Sequence, residues 1–288
     1  MKSDKKILLI GACGMLGQDL IVVLQEHYKS VSGIDIQEID ISKKSDVQKV
    51  IPQLNPDILI NCAAFTQVDQ CETDIDMATS VNATALEYLS EVCKTNNTKL
   101  VHISTDYVFD GEKEGEYLET DITNPTSVYG KTKLAGEIAI QKRLDNYLIV
   151  RTSWLYGKGG ANFVRTILKL YGEKERLSVV NDQKGRPTYT PHLAQTIIDV
   201  IEKEGRGIIN IANSGVCTWY EFARMIIKKK GLDPEKIVPV NTSEFPRPAK
   251  RPKNSVLSLS RLENEFGIMM PDWENALEEY LKESFLSA

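Results

Sequence analysis

Histidine and cysteine are both scarce in this chain, and neither is arranged for metal or disulfide chemistry. The three histidines, His27, His102 and His192, are scattered along the sequence, so no imidazole cluster for a metal is visible. The five cysteines, Cys13, Cys62, Cys71, Cys93 and Cys217, are odd in number and show no CxxC spacing. Free thiols in a reducing compartment suit that pattern better than a disulfide scaffold. No apolar run approaches the length of a membrane span, and the run behind the basic start is too short for a signal peptide. Positive charge is not in excess either, with 35 Lys and Arg against 40 Asp and Glu. Without a basic stripe, nucleic acid and anionic membranes are poor partners. The run of lysines at 228–230 reads as a solvated helix end. A cytoplasmic protein with no nucleic-acid or membrane partner is expected.

What is present is enough apolar sequence for a large core. The 288 residues are 42% hydrophobic, sufficient for one large or two closely joined domains without covalent staples. The first half alternates short apolar runs with longer amphipathic ones, the βαβ pattern of a parallel sheet. Strands are predicted at 6–10, 31–35, 58–61, 100–104 and 147–151, with helices near 15–27, 45–53, 76–96 and 127–143. After Thr152 the order loosens. Helices near 161–171, 191–203, 218–230 and 272–285 are separated by Gly- and Pro-rich pieces and two apolar runs, 177–180 and 208–211. The Pro- and Arg-rich segment 243–254 reads as an ordered loop.

Directly after the first strand, Gly11, Gly14 and Gly17 stand at the mouth of a helix. Glycine there permits a tight turn and lets backbone approach a pyrophosphate, which the helix N-terminus then attracts. The spacing is GxxGxxG, and alone it could be a plain strand-to-helix turn. Asp35, at the end of the second strand, strengthens the nucleotide reading. A carboxylate there accepts from ribose hydroxyls and repels a 2′-phosphate, favouring NADH over NADPH. Asp40 either approaches the adenine or caps a turn before Ser42. The small residues of NCAA at 61–64 leave room for a flat ligand or simply pack tightly. These features predict an α/β fold: a Rossmann-type doubly wound parallel sheet over 1–152 with a smaller α/β substrate-binding domain over 153–288. Segments near 177–212 are expected to return to the first domain.

The fourth strand ends on Ser104, Thr105 and Asp106, at the edge where open parallel sheets place chemistry. Tyr129 and Lys133 follow four residues apart on a predicted helix, hence on one face. An ammonium beside a phenol lowers the phenol's pKa and readies it for proton exchange near neutrality. Thr105 could donate to a substrate carbonyl as hydride arrives. An ordinary surface Tyr–Lys pair is the alternative; the order of motifs along the chain argues against it.

Together, GxxGxxG, NCAA, STDYVFDG at 104–111 and YGKTKLAGE at 129–137 resemble an extended short-chain dehydrogenase/reductase. With RTSWLYG at 151–157, VVNDQKGRPT at 179–188 and RPKNSVL at 251–257, the chain resembles the dTDP-4-dehydrorhamnose reductase family from about residue 6 to 280. The resemblance implies NADH- or NADPH-dependent reduction of the C4 ketone of dTDP-4-dehydro-β-L-rhamnose, a step towards cell-surface polysaccharide. By motif, Tyr129 is the proton donor, Lys133 orients the cofactor ribose, and Thr105 binds the carbonyl. Asp106 and Trp154 align near the sugar nucleotide; tryptophan is also a common core filler, but the RTSW match favours the functional reading of Trp154, and Arg251 either pairs with the diphosphate or is a solvated loop residue. Gly11, Gly14, Met15, Leu16, Asp35, Asp40, Ile41, Ala63, Ala64 and Phe65 align with the cofactor site, where Phe65 replaces the histidine or tyrosine often found in the family. Some members are associated with Mg²⁺ through glutamates at a dimer contact. Here Asp19 alone falls at such a place, so the sequence does not support the metal, and a homodimer stays open. Two alternatives stay open: a reductase or epimerase of another nucleotide sugar, and a binding subunit of the kind that regulates methionine adenosyltransferase.

Overall fold

The Ile/Leu-rich runs of the first half become strands buried on both faces. A computed structural model describes residues 2–285. Strands β1 (Ser3–Ile10), β2 (Tyr28–Ile34), β3 (Ile58–Asn61), β4 (Lys99–Thr105), β5 (Tyr147–Thr152) and the late β10 (Gly207–Asn210) form one sheet in the order β10-β5-β4-β3-β1-β2. All five pairings are parallel. The strand order reverses between β1 and β3, which opens a crevice above their carboxyl ends.

Alternate residues of β1 serve two cores. Ile7 and Leu9 pack with Leu20 and Leu24 of α1 (Met15–His27) and Leu193 and Ile197 of α8 (Thr190–Glu202). Leu8 and Ile10 face the other way, towards Val47 and Ile51 of α2 (Lys44–Leu54), Leu86 and Leu89 of α5 (Ala85–Thr95), and Ile140 of α6 (Val128–Arg143). Each fully buried Leu or Ile contributes about 1.5–3 kcal/mol relative to exposure.

The remaining strands form three small sheets. β6 (Leu155–Tyr156) pairs with β9 (Thr188–Tyr189), β7 (Leu177–Val180) with β12 (Ile237–Val240), and β8 (Lys184–Gly185) with β11 (Cys217–Thr218). Helices α7 (Phe163–Glu173), α9 (Trp219–Lys229) and α11 (Trp273–Phe285) close a separate core rich in aromatics, including Tyr156, Tyr189, Phe222, Trp273 and Tyr280. α10 (Ser260–Phe266) packs its Leu262 and Phe266 on the first core. No helix among the described residues is long and apolar enough to cross a membrane.

Three local expectations are corrected. The helix predicted over 76–96 is divided into α4 (Ile75–Thr79), a π-helical turn Ser80–Thr84, and α5. That widened turn buries Asn82, whose amide bonds both the N–H and C=O of Phe65. The second strand runs Tyr28–Ile34 instead of 31–35, because as an edge strand it stays largely exposed and carries little apolar signal. Within 177–212, α8 and β10 join the large sheet and its cover, but Leu177–Val180 does not. It pairs with β12 and buries Leu177 and Val179 among the aromatics.

Candidate active site

The carboxyl ends of β1, β3, β4 and β5 open into a cleft of about 730 Å³, within the range of small-molecule sites. Every site residue expected from the sequence lines it except Arg251.

At the nucleotide end, Gly11 sits at φ +81°, where a side chain would strain the backbone. At Gly17 a Cβ would lie 2.1 Å from the Gly11 carbonyl oxygen, so only glycine lets α1 begin this close to β1. α1 is N-capped by Gly14 without any side-chain cap, so its first N–H groups face the cleft ready for phosphate oxygens. Asp35 accepts from the Cys13 and Ile36 N–H groups, which fixes its carboxylate at the cleft wall. Asp40 lines the cleft too, yet its carboxylate accepts from the Ser42 N–H and hydroxyl, the turn arrangement that was its alternative reading. α3 (Val68–Cys71) follows Phe65, and the Glu72 carboxylate after it accepts the Val128 N–H at the start of α6.

At the chemical end, Tyr129 and Lys133 are buried on the inner face of α6, which rules out a surface pair. Thr105 lines the cleft with Tyr129, its hydroxyl donating to Asp106 Oδ1 at 2.9 Å and accepting the Tyr107 N–H at 3.2 Å, and Tyr107 packs edge-on against the Tyr129 ring at 5.5 Å. Burial nonetheless pushes the Tyr129 phenol up, only partly offset by Thr105. This corrects the expectation that the lysine lowers it. Lys133 Nζ donates to the Ile103 carbonyl at 2.7 Å and meets His102 Nε2 at 3.0 Å, so its hydrogen bonds run to β4. Burial brings Lys133 down to about 8, against the opposing pull of Glu137 and Cys62.

Asp106 is buried and pushed up to about 6 by burial, with the Ser255 and Thr105 hydroxyls easing it. Its Oδ1 accepts from Thr105 Oγ1 at 2.9 Å, while Oδ2 has no hydrogen-bond partner. That oxygen is an unused acceptor at the wall of a mostly apolar cleft. Trp154 combines both of its readings: it lines the cleft and stacks on Trp219 at 3.5 Å and 9°. Its φ of +48° is unusual for a bulky residue and is maintained by that stack and by Gly185 behind it.

Arg251 stands one layer outside the cleft. Its Nη2 pairs with Asp69 at 3.0 Å, its guanidinium lies 6.0 Å from the Tyr107 ring, and its buried Nη1 has no partner. Asp69 also accepts the Ala249 N–H, which anchors the 243–254 segment. Burial raises the Asp19 carboxyl, which Thr190 and Lys158 ease, and among the described residues no group of three or more His, Cys, Asp or Glu side chains is placed to hold a metal ion.

The sequence reading missed His102 and passed over Ser104. Both lie on the face of β4 towards α6, spaced i and i+2, and meet Lys133 and Glu137, spaced i and i+4. That double periodicity was the available signal.

A family model described as the RmlD substrate binding domain matches residues 5–285. The chain is 39% identical to a dTDP-4-dehydrorhamnose reductase of Aggregatibacter actinomycetemcomitans, over 94% of this chain and 97% of that protein. It is 39% identical to a dTDP-4-keto-6-deoxy-D-glucose reductase of Streptomyces niveus, over 87% of each. A crystal structure of a dTDP-4-dehydrorhamnose reductase from Bacillus anthracis in complex with NADP superposes with a TM-score of 0.92 at 38% identity, covering 98% of this chain and all of that one.

Proposed function

The chain belongs to the dTDP-4-dehydrorhamnose reductase family, and from that premise we propose that it reduces the C4 ketone of dTDP-4-dehydro-β-L-rhamnose to dTDP-β-L-rhamnose in the cytoplasm. The observation that carries the reading is the meeting of Tyr129 and Thr105 in the cleft above the glycine turn. Bound along that turn, a reduced nicotinamide supplies hydride to the ketone carbon. Thr105 donates to the carbonyl oxygen as charge develops on it. Tyr129, kept protonated by burial, gives its proton to the resulting alkoxide. Lys133 takes the cofactor ribose, Asp106 a sugar hydroxyl through its unused oxygen, and Trp154 a face of the sugar. Arg251 reaches the diphosphate on leaving Asp69.

NADH is the favoured cofactor: the Asp35 carboxylate at the cleft wall would repel a 2′-phosphate, and Lys133 is the one basic residue among those lining the cleft. The related enzyme from Bacillus anthracis accommodates NADP, so the preference is a separate measurement. The test is oxidation of NADH and NADPH with dTDP-4-dehydro-L-rhamnose, with Tyr129→Phe in parallel. Stoichiometric oxidation that falls by about 10²–10⁴ in the variant is expected. A folded, cofactor-binding protein without turnover overturns the assignment. The Streptomyces niveus relative supports a second reading, another dTDP-4-keto-6-deoxysugar as substrate, which the same assay with that sugar decides.

A further inference from the structure

Three groups of the Pro- and Arg-rich segment converge on one carboxylate. Arg251 Nη2 lies 3.0 Å from Asp69 Oδ2, Arg247 Nη1 lies 3.9 Å from the same oxygen, and the Ala249 N–H donates to Oδ1 at 3.2 Å. Asp69 follows Val68, a residue of the cleft wall, on α3. The Arg251 guanidinium lies 6.0 Å from the ring of Tyr107, a second residue of that wall. The convergence therefore lies directly behind the cleft lining.

Charge is not balanced there. Two guanidiniums, neither able to lose its proton, face a single carboxylate. Lys250, between them in sequence, turns to Glu112 at 3.6 Å. Arg251 Nη1 is buried without a hydrogen-bond partner, a donor whose bond is left unmade. The set thus lacks an anion with more charge and more acceptor oxygens than one carboxylate has. A diphosphate supplies both, and the guanidinium fork pairs with its oxygens two at a time. The ion pairs are open to exchange, since the side chains of Asp69 and Arg251 are 31% and 20% exposed.

We infer that Asp69 holds the place of the substrate's diphosphate in the unliganded protein, and that it sets nucleotide affinity by competing for Arg251. This rests on Arg251 being the diphosphate ligand and adds the group that opposes binding. Diphosphate and carboxylate exclude each other on the same guanidinium, so part of the binding free energy goes to displacing Asp69. A neutral amide at this position still accepts from the Ala249 N–H through its oxygen, but no longer holds the guanidiniums by charge.

The test titrates dTDP into NADH-saturated protein by calorimetry. Asp69→Asn is expected to bind dTDP about fivefold more tightly, the worth of one partly exposed ion pair. NADH affinity, read from nicotinamide fluorescence, stays unchanged, because Asp69 is not among the residues lining the cleft. In an Arg251→Gln background the same substitution changes dTDP affinity by less than about twofold, since the competitor has lost its target. Should Asp69→Asn not fold, Asp69→Ser serves with the same expectation. Unchanged or weaker dTDP binding in the folded variant overturns the inference: Asp69 then positions Arg251 for the ligand instead of opposing it. Equal tightening without Arg251 also overturns it, because loss of a nearby negative charge explains that. A parent protein that binds NADH but not dTDP overturns the nucleotide-sugar reading together with the inference. A parent that binds dTDP, with no tightening in the variant, overturns the inference alone. The probe carries no sugar, so failure of the rhamnose assignment by itself does not move these affinities.

Discussion

In the six-stranded sheet most strands find their partner through a nearby crossover helix, whereas beyond Thr152 the small sheets are built from strands of two to four residues with distant partners, as when Leu177 lies opposite Ile237. The first region buries aliphatic residues on both faces of continuous strands. The second holds itself together with stacked and edge-on rings: Trp154 on Trp219, Tyr156 on Tyr189, Phe163 on Phe222. The cleft lies where the two meet, and each contributes what its construction allows. The sheet supplies rigid strand ends for Thr105 and a rigid helix for Tyr129 and Lys133; the aromatic region supplies shape around Trp154. Chemistry is expected to depend on the first and substrate fit on the second.

The severest challenge to that division is the buried pair that ties α6 to the sheet. Arg151 and Glu137 are buried, bonded at 2.6 Å and 3.0 Å, with Ser104 adding a third bond. Glu137→Ala strands the Arg151 charge and should destabilise by about 3–5 kcal/mol, seen as a lower urea midpoint for the whole chain. Loss of activity with unchanged stability would show that α6 is held in some other way.

Asp106 carries a pH-dependent cost within the same rigid half. Its pKa is raised from 3.8 to about 6, so folding favours the protonated form. That contribution is full below pH 4 and is lost as pH rises through about 6, a difference of about 3 kcal/mol at most. Asp106→Asn should therefore be more stable than the parent at pH 8, with the gap closing below pH 4 in parallel urea titrations, while sugar turnover falls. A gap that does not vary with pH would remove the burial argument.

Smaller effects should separate cofactor from sugar. Asp35→Ser removes the carboxylate expected to repel a 2′-phosphate and should raise the NADPH/NADH preference by about tenfold, roughly 1.4 kcal/mol, measured as the ratio of kcat/KM. Trp219→Leu removes the ring behind Trp154 and loses about 0.5–1.5 kcal/mol of ring–ring contact. KM for the sugar nucleotide should rise several-fold while NADH affinity stays unchanged. A matching loss in NADH affinity would mean the two regions are not separable at the cleft.

The parallel sheet, the glycine turn, the acidic end of β2 and the Tyr129–Lys133 spacing were legible in the sequence, because each depends on residues a few positions apart and on periodicities of 2 or 3.6. Other features depend on which distant surfaces meet. The π turn at Ser80–Thr84 arises where Asn82 must reach both Phe65 and Thr132. Arg251 left the cleft for Asp69, some 180 positions earlier in the chain, as Ala249 did beside it. Lys133 turned to His102 and Ile103, and the phenol it was expected to acidify is instead raised by burial. A pattern along the chain states which face a side chain is on. Which groups share that face, and how much water remains between them, follows only once the sheet, α6 and the aromatic core have closed around them, and those two quantities set the pKa values and the hydrogen bonds on which the chemistry depends.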